Sequence, residues 1–415
     1  MTAPRVGERA LLLLLLLVAT FNLVDRQIIN ILADQISREL HLSNTQLGIL
    51  TGPAFAIFYA LMGVPIARYA DRPGTDRVRL IAVVVALFSA MTAASGLVTS
   101  YAQLAIARVG VGLGEAGSAP ASYALIADRI PRERRARAIS LQGLGVPCGI
   151  LLGLVMGGIV GQSLGWRAAF LICAAPGLFI AMAVKLLLKD VRTAEPHGLK
   201  VAPAAHGRLR VVMQSRALIL LICATATSSI VTMGQTVWAP VVFIRAFHVP
   251  IAQVGLWLGI VSGLSGIVGM LAGGAVADRL GGNNPKYYMI VPMFAVLVAP
   301  PFYALAYSAP DWRIALALLI IPSTLALFFY APVFASAPRL VPPAYRSFAG
   351  ALVLLFINLV GAGLGPLAVG IAADALTPKA GDQALRWVLM VFPLLNVIPA
   401  FFYWRASRHI ASELK

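Results

Sequence analysis

Polar residues interrupt the first hydrophobic stretch of the chain. Asn22, Asp25, Arg26 and Asn30 follow the seven-leucine run Leu11 to Leu17 and precede Ile31-Leu32-Ala33. In a stretch that crosses a bilayer, each charge is costly unless it is paired or wetted, so an acid beside a base there points to ion pairing, proton exchange or anion recognition. In helical spacing Asn22, Arg26 and Asn30 share one polar stripe, while Asp25 points about 100° away. A second pair, Arg108 and Glu115, lies in the fourth hydrophobic stretch, on one helix face. The formal charges of the four cancel, as mutual compensation requires. At about 1.5 Å of rise per residue, Asp25 and Arg26 lie roughly 12–14 Å from the outer boundary at Asp34; Arg108 lies roughly 10 Å, and Glu115 about 21 Å, from Tyr101.

Helices must hold these residues in place. The chain has 415 residues, 60% of them hydrophobic and 12% charged, which excludes an ordinary soluble domain and reads as a polytopic, all-α membrane protein. Twelve apolar runs of about 20 residues or more, each enough to cross a bilayer, are predicted at 10–33, 45–67, 79–99, 102–127, 138–161, 168–188, 215–244, 252–277, 287–307, 312–337, 348–373 and 385–404. Between the sixth and seventh lies the polar stretch 189–213, with Pro196, Gly198, Pro203 and Gly207, which reads as a cytoplasmic linker between two six-helix bundles, 1–188 and 214–415.

The formal charge of +17 does not ask for nucleic acid, because the basic residues sit in short loops between apolar runs. Arg38, Arg167, Arg245, Arg313, Lys379 and Arg386 fall in loops on one side, and Arg26 and Arg108 lie inside spans. Every other lysine and arginine falls on the opposite side, which the positive-inside bias makes cytoplasmic, both termini included. The first apolar run continues to Ala33, which argues against a cleaved signal peptide. Cys148, Cys173 and Cys223 all sit in apolar runs and the five histidines are scattered, so no metal site is expected. With no nucleophile–base arrangement and no phosphate loop either, neither an enzyme nor a cofactor is expected.

An internal repeat supports the two-bundle reading. Ala67-Arg-Tyr-Ala-Asp71-Arg72-Pro-Gly74 follows the second run, and Gly274-Ala-Val-Ala-Asp278-Arg279-Leu-Gly281 follows the eighth; the two Asp-Arg pairs are 207 residues apart, half the chain length. Pro131 to Arg135 and Pro342 to Arg346 echo each other at a similar displacement. Duplicated six-helix units are a carrier architecture whose substrate site lies at mid-membrane between the halves. Prolines inside the spans are tolerated in membrane helices and mark bends. The glycines at 110, 112, 114 and 117, and at 145, 149, 153, 157 and 161, allow close backbone approach and are read as packing residues.

These residues carry a family likeness. The twelve runs, Asp71-Arg72-x-Gly74 with Arg77, its echo Asp278-Arg279-x-Gly281, and Arg108-x-Gly110-x-Gly112 resemble the major facilitator superfamily over essentially the whole chain. Within it, Asn22-x-x-Asp25-Arg26, Gly112-x-Gly114-Glu115-Ala116, Leu125-Ile-Ala-Asp128 with Arg134-Arg135-Ala-Arg137, and Gly165-Trp166-Arg167-x-Ala-Phe170 resemble the spinster-like branch. That resemblance implies a proton-coupled carrier of a lysophospholipid or sphingolipid-like amphipath in the inner membrane of a bacterium. Proton-driven organic-anion carriers share a similar Asp-Arg and Gly-Glu-Ala, so a symporter of small organic anions such as sugar acids is the alternative.

Within this frame each residue has an expected role. Asp25 is expected to pair with Arg108, and Arg26 to reach inward to Glu115. A carboxylate that gains and loses an arginine partner as the halves rock changes its proton affinity, which is what proton coupling requires. Glu115 is the first choice as carrier and Asp25 the second, with protons the only coupling ion; the competing reading is a permanent structural salt bridge. Substrate contact is assigned to Arg26, which stays charged and suits an anionic head, together with Asn22, Asn30 and Arg108, and Tyr330 and Asn358 from the second half. Asp71, Arg72, Arg134, Arg135, Asp278 and Arg279 are expected to act as cytoplasmic latches, with Arg134 and Arg135 as partners for Asp71. The expected surroundings are a lipid bilayer and an amphipathic or anionic small molecule, with no nucleic acid and a monomeric chain.

Overall fold

A computed structural model describes residues 7–72, 74–190, 212–282 and 284–413, and for Asp71, Arg132, Glu133, Ala136, Ala344 and Ser347 the backbone alone. Among the described residues all regular structure is helical. Among these residues nine helical stretches are long and apolar enough to cross a membrane. Two of them, Arg137–Leu187 and Phe348–Glu413, run for 51 and 66 residues, long enough to cross twice each. The fourth predicted span falls outside the nine because it is broken into Tyr101–Glu115 and Ser118–Arg129. All twelve predicted spans are therefore helical.

Local chemistry starts and stops these helices. Ser43, Asp76, Ser100 and Ser215 cap the second, third, fourth and seventh spans by accepting from the backbone N–H of Gln46, Arg79, Gln103 and Leu218. Gln46 completes a capping box. The second span, Asn44–Thr51 and Pro53–Asp71, is interrupted at Gly52 because Pro53 cannot supply the N–H that would continue it. The fifth and sixth spans are parted at Gly165, whose φ of 82° is open to glycine at little cost. Beside it, Trp166 and Arg167 both donate to the Glu39 carboxylate at the end of the first span, and Arg167 also reaches Val98 O at 3.0 Å.

The chain forms two compact units. Among the described residues the first holds those up to Asp190 together with His248–Ile260, and the second holds 212–247 and 261–413. Residues 191–211 of the predicted linker lie outside the described residues.

In the first unit the glycines set the helix spacing. Cβ atoms at Gly149 and Gly153 would stand 2.4 Å from Thr20 O and 2.8 Å from the Cβ of Gln27, so only glycine lets the fifth span lie against the polar stretch of the first. The second unit packs Leu218, Leu221, Met289, Val333, Val353 and Tyr403 into one apolar core. Its eleventh span, Arg346–Phe356 and Gly363–Ala380, includes a π-helical segment at Ile357–Ala362.

Candidate functional site

The candidate site grows from the fourth span of the first unit. In its Arg108-x-Gly-x-Gly-x-Gly-Glu115 segment the glycines face two ways: Cβ atoms at Gly110 and Gly114 would strike Met91 and Phe88 of the third span, and one at Gly112 would stand 2.6 Å from Phe55 O of the second. The segment is thus pressed between both neighbours. The helix then breaks at Ala116 and Gly117, and Ser118 Oγ turns back to Glu115 O at 3.2 Å, recovering a carbonyl that the break releases. Glu115 ends up at the close of a helical segment, facing the first span.

Arg26 Nε donates to Glu115 Oε2 at 2.5 Å, with the Arg26 side chain 21% exposed and that of Glu115 fully buried. The Arg26 guanidinium lies over two stacked rings of the second span, 4.5 Å from the Phe55 centroid and 4.7 Å from that of Tyr59. Arg108 also lies over Phe55, at 5.6 Å. One aromatic ring therefore serves two guanidinium groups, and cation–π attraction of this kind strengthens where water is excluded. Asn22 Nδ2 reaches Ser118 Oγ at 3.4 Å, one turn along the same seam, while Asn30 donates at 3.1 Å to Gln27 of its own helix.

The expected pairing of Asp25 with Arg108 requires correction. Among the described residues the two form no ion pair: Asp25 Oδ2 and the Nε and Nη1 of Arg108 are buried without a hydrogen-bond partner. Arg108 turns towards Phe55 on the second span. Asp25, about 100° round the first helix from Arg26, stays within electrostatic reach of Arg108 and Glu115 without pairing, and Thr92 of the third span and Cys173 of the sixth lie close to it as well. Glu115 Oε1 also lacks a partner. The cluster thus holds two acids and two bases with one close ion pair between them.

The remaining predicted residues have other recorded neighbours in their own parts of the fold. Tyr330 belongs to the second unit, where its half-exposed ring packs on Phe334 at 4.7 Å. Asn358 sits in the π-helical segment and donates to Leu354 O of its own span at 2.9 Å. Of the latch residues, the Asp71 side chain lies outside the described residues. Arg134 pairs with Glu8 at 3.7 Å, and Arg135 Nε donates to Ile130 O at 2.9 Å. Arg72 lies 6.0 Å from the Tyr69 ring, and Asp278 accepts from Tyr288 at 3.2 Å. Arg279 is exposed.

Among the described residues a strong ion-pair cluster forms around Arg77. Buried at the start of the third span, it meets Asp128 at 2.6 Å and Asp190 at 2.7 Å, and its backbone N–H donates to Asp190 at 2.8 Å. Sequence reasoning missed Phe55, Tyr59, Ser118 and Asp190. The Phe55-x-x-x-Tyr59 spacing was the available signal for the rings, since residues four apart stack on one helix face. Asp190 carried none, being a lone acid at the edge of a basic linker.

Comparison with known proteins agrees with this architecture. The family model of the Major Facilitator Superfamily matches residues 15–366. An "MFS-type efflux pump" of Mycolicibacterium smegmatis is 34% identical over 401 residues, covering 96% of this chain and 92% of that protein. A "probable sphingolipid transporter spinster homolog 2" of Arabidopsis thaliana is 24% identical over 354 residues, covering 82% and 72% of the two chains. A crystal structure of a bacterial homologue of the human lysosomal transporter Spinster, inward-facing and unoccupied, superimposes with a TM-score of 0.90 at 26% identity, covering 100% of this chain and 99% of the other. The chain belongs to the major facilitator superfamily, with a likeness to its Spinster proteins.

Proposed function

We propose that this integral membrane carrier moves an amphipathic anion, of the lysophospholipid or sphingolipid type, coupled to protons through Glu115. One observation carries the reading: the partly exposed Arg26 is held at 2.5 Å by a fully buried carboxylate. An anionic head that reaches Arg26 competes with Glu115 for the same guanidinium. Once displaced, the Glu115 carboxylate is left uncompensated at bilayer depth, a state costly enough that a proton neutralises it. Substrate and proton are thereby linked through one arginine, and Phe55 and Tyr59 keep that arginine in place during the exchange. Asp25, buried with one oxygen unpartnered, is the second group able to take a proton. The Spinster likeness supports the lipid class, and the positive-inside charge pattern supports a bacterial inner membrane with cytoplasmic termini.

Uptake into proteoliposomes tests this, with a labelled lysophospholipid and a labelled sugar acid, each with and without an imposed pH gradient. The reading expects gradient-driven movement of the lysophospholipid. Glu115→Gln should abolish accumulation while leaving part of the substrate exchange. Gradient-driven uptake of the sugar acid alone would overturn the lipid assignment, and accumulation surviving in Glu115→Gln would overturn the role of Glu115.

A further inference from the structure

A cavity of about 610 Å³ opens in the first unit where the third span begins and the sixth ends, at the end that carries the basic loops. That volume is typical of sites that hold a small molecule or a headgroup. Arg79, Lys185 and Lys189 line it, together with Asp76 and Asp190. The acids are already engaged. Asp76 accepts from the Arg79 backbone N–H at 2.9 Å, and Asp190 grips the Arg77 guanidinium through both oxygens, at 2.7 and 3.2 Å. Among the described residues none of the three cations forms an ion pair.

Apolar rows continue both walls away from the cavity. On the third span Val83 and Leu87 follow Arg79 at four-residue steps, and both are exposed. On the sixth span Met182 and Leu178 lie three and seven residues before Lys185, and both are again exposed. Such steps keep each row on one helix face. The two spans are held together at Gly177, where a Cβ would stand 2.1 Å from Ser89 Oγ. Charge bias alone explains basic residues in these loops. It does not explain a cavity whose acids are engaged and whose cations are not, set between two spans that each carry an exposed apolar row.

We propose that this cavity binds the phosphate headgroup of an anionic membrane phospholipid through Arg79, Lys185 and Lys189, with the acyl chains lying along the Val83–Leu87 and Met182–Leu178 rows. The site is separate from the Arg26–Glu115 cluster and does not depend on the proposed substrate. Its occupant shares the membrane with the carrier and is held rather than moved. Basic pockets at the cytoplasmic ends of membrane helices suit such headgroups, because each lysine or arginine near the anionic surface adds about fivefold to binding.

Native mass spectrometry of the full-length protein tests the proposal, after equilibration with phosphatidylglycerol or phosphatidylcholine and progressive delipidation. The wild type should retain phosphatidylglycerol in preference to phosphatidylcholine. Removing the three cations together (R79Q, K185Q, K189Q) should weaken retention at least about tenfold. Removing three cations elsewhere at the same end (K286Q, R405Q, R408Q) should leave it unchanged. Equal retention by the cavity variant, or an equal loss in the control, would overturn the site. Displacement of the lipid by inorganic phosphate at matched concentration would assign the cavity to a soluble anion and overturn the lipid.

Discussion

The first and second units handle buried polarity in opposite ways. In the first, formal charges sit inside the spans, and several of their atoms have no partner: Asp25 Oδ2, Glu115 Oε1, and Nε and Nη1 of Arg108. In the second, the buried polar groups of the seventh span are neutral and mostly satisfied within their own helix. Thr225, Thr227, Thr232 and Thr236 each donate to the carbonyl four residues back, at 2.7–3.2 Å. Gln235 is fixed at both ends, donating to Leu389 O and accepting from Tyr307, each at 2.8 Å. Asn396 Oδ1 and Tyr403 Oη are unpartnered there as well, but they carry no charge. A satisfied neutral network holds one arrangement, whereas an under-satisfied charged cluster gains by exchanging partners. On the proposed mechanism the exchange of partners belongs to the first unit, and the satisfied neutral network of the second serves as scaffold.

The largest effect should come from breaking the charged pair. Arg26→Gln leaves Glu115 buried beside an unpaired Arg108, and truncating one partner of a buried charge pair costs about 2–5 kcal/mol. Transport in proteoliposomes should fall by at least about thirtyfold. A variant transporting within about twofold of the wild type would remove the pair from the mechanism. Next in size, Gln235→Leu tests the second unit as scaffold. It leaves the Tyr307 hydroxyl and Leu389 O without their partners, at about 1–3 kcal/mol. The melting temperature in detergent should drop while the dependence of transport on the pH gradient keeps its form; a changed dependence would give the second unit a part in coupling. The smallest effect sharpens the view of the aromatic floor. Phe55→Leu removes the ring beneath both guanidinium groups, contacts worth about 0.5–2 kcal/mol. It should slow transport about threefold to tenfold with little thermal destabilisation, and an unaltered rate would reduce Phe55 to packing.

The Arg26–Glu115 seam was legible in the sequence because intramembrane charge is rare and helical periodicity fixes direction. Arg26 and Asn22 share a stripe, and the structure brings them to Glu115 and Ser118 one turn apart. The same periodicity turned Asp25 away from that seam. Its expected partner failed for a reason that lies between helices. Gly112 lets the second span press close at Phe55, and that ring takes the Arg108 guanidinium. The loop after the second span shows the same limit. Among the described residues its close ion pairs join Arg77 to Asp128 and Asp190, and these three are 51 and 62 residues apart along the chain.

By itself the sequence determined the helices, their number and the buried charges that need partners. Length, periodicity and transfer cost are properties of a segment, and each can be read locally. Only the tertiary structure decided which charges meet, which ring supports two arginines, and which loop acids are engaged. Those outcomes depend on how closely two helices approach. That distance is set by which glycine faces which neighbour, at Gly112 against Phe55 and at Gly153 against Gln27.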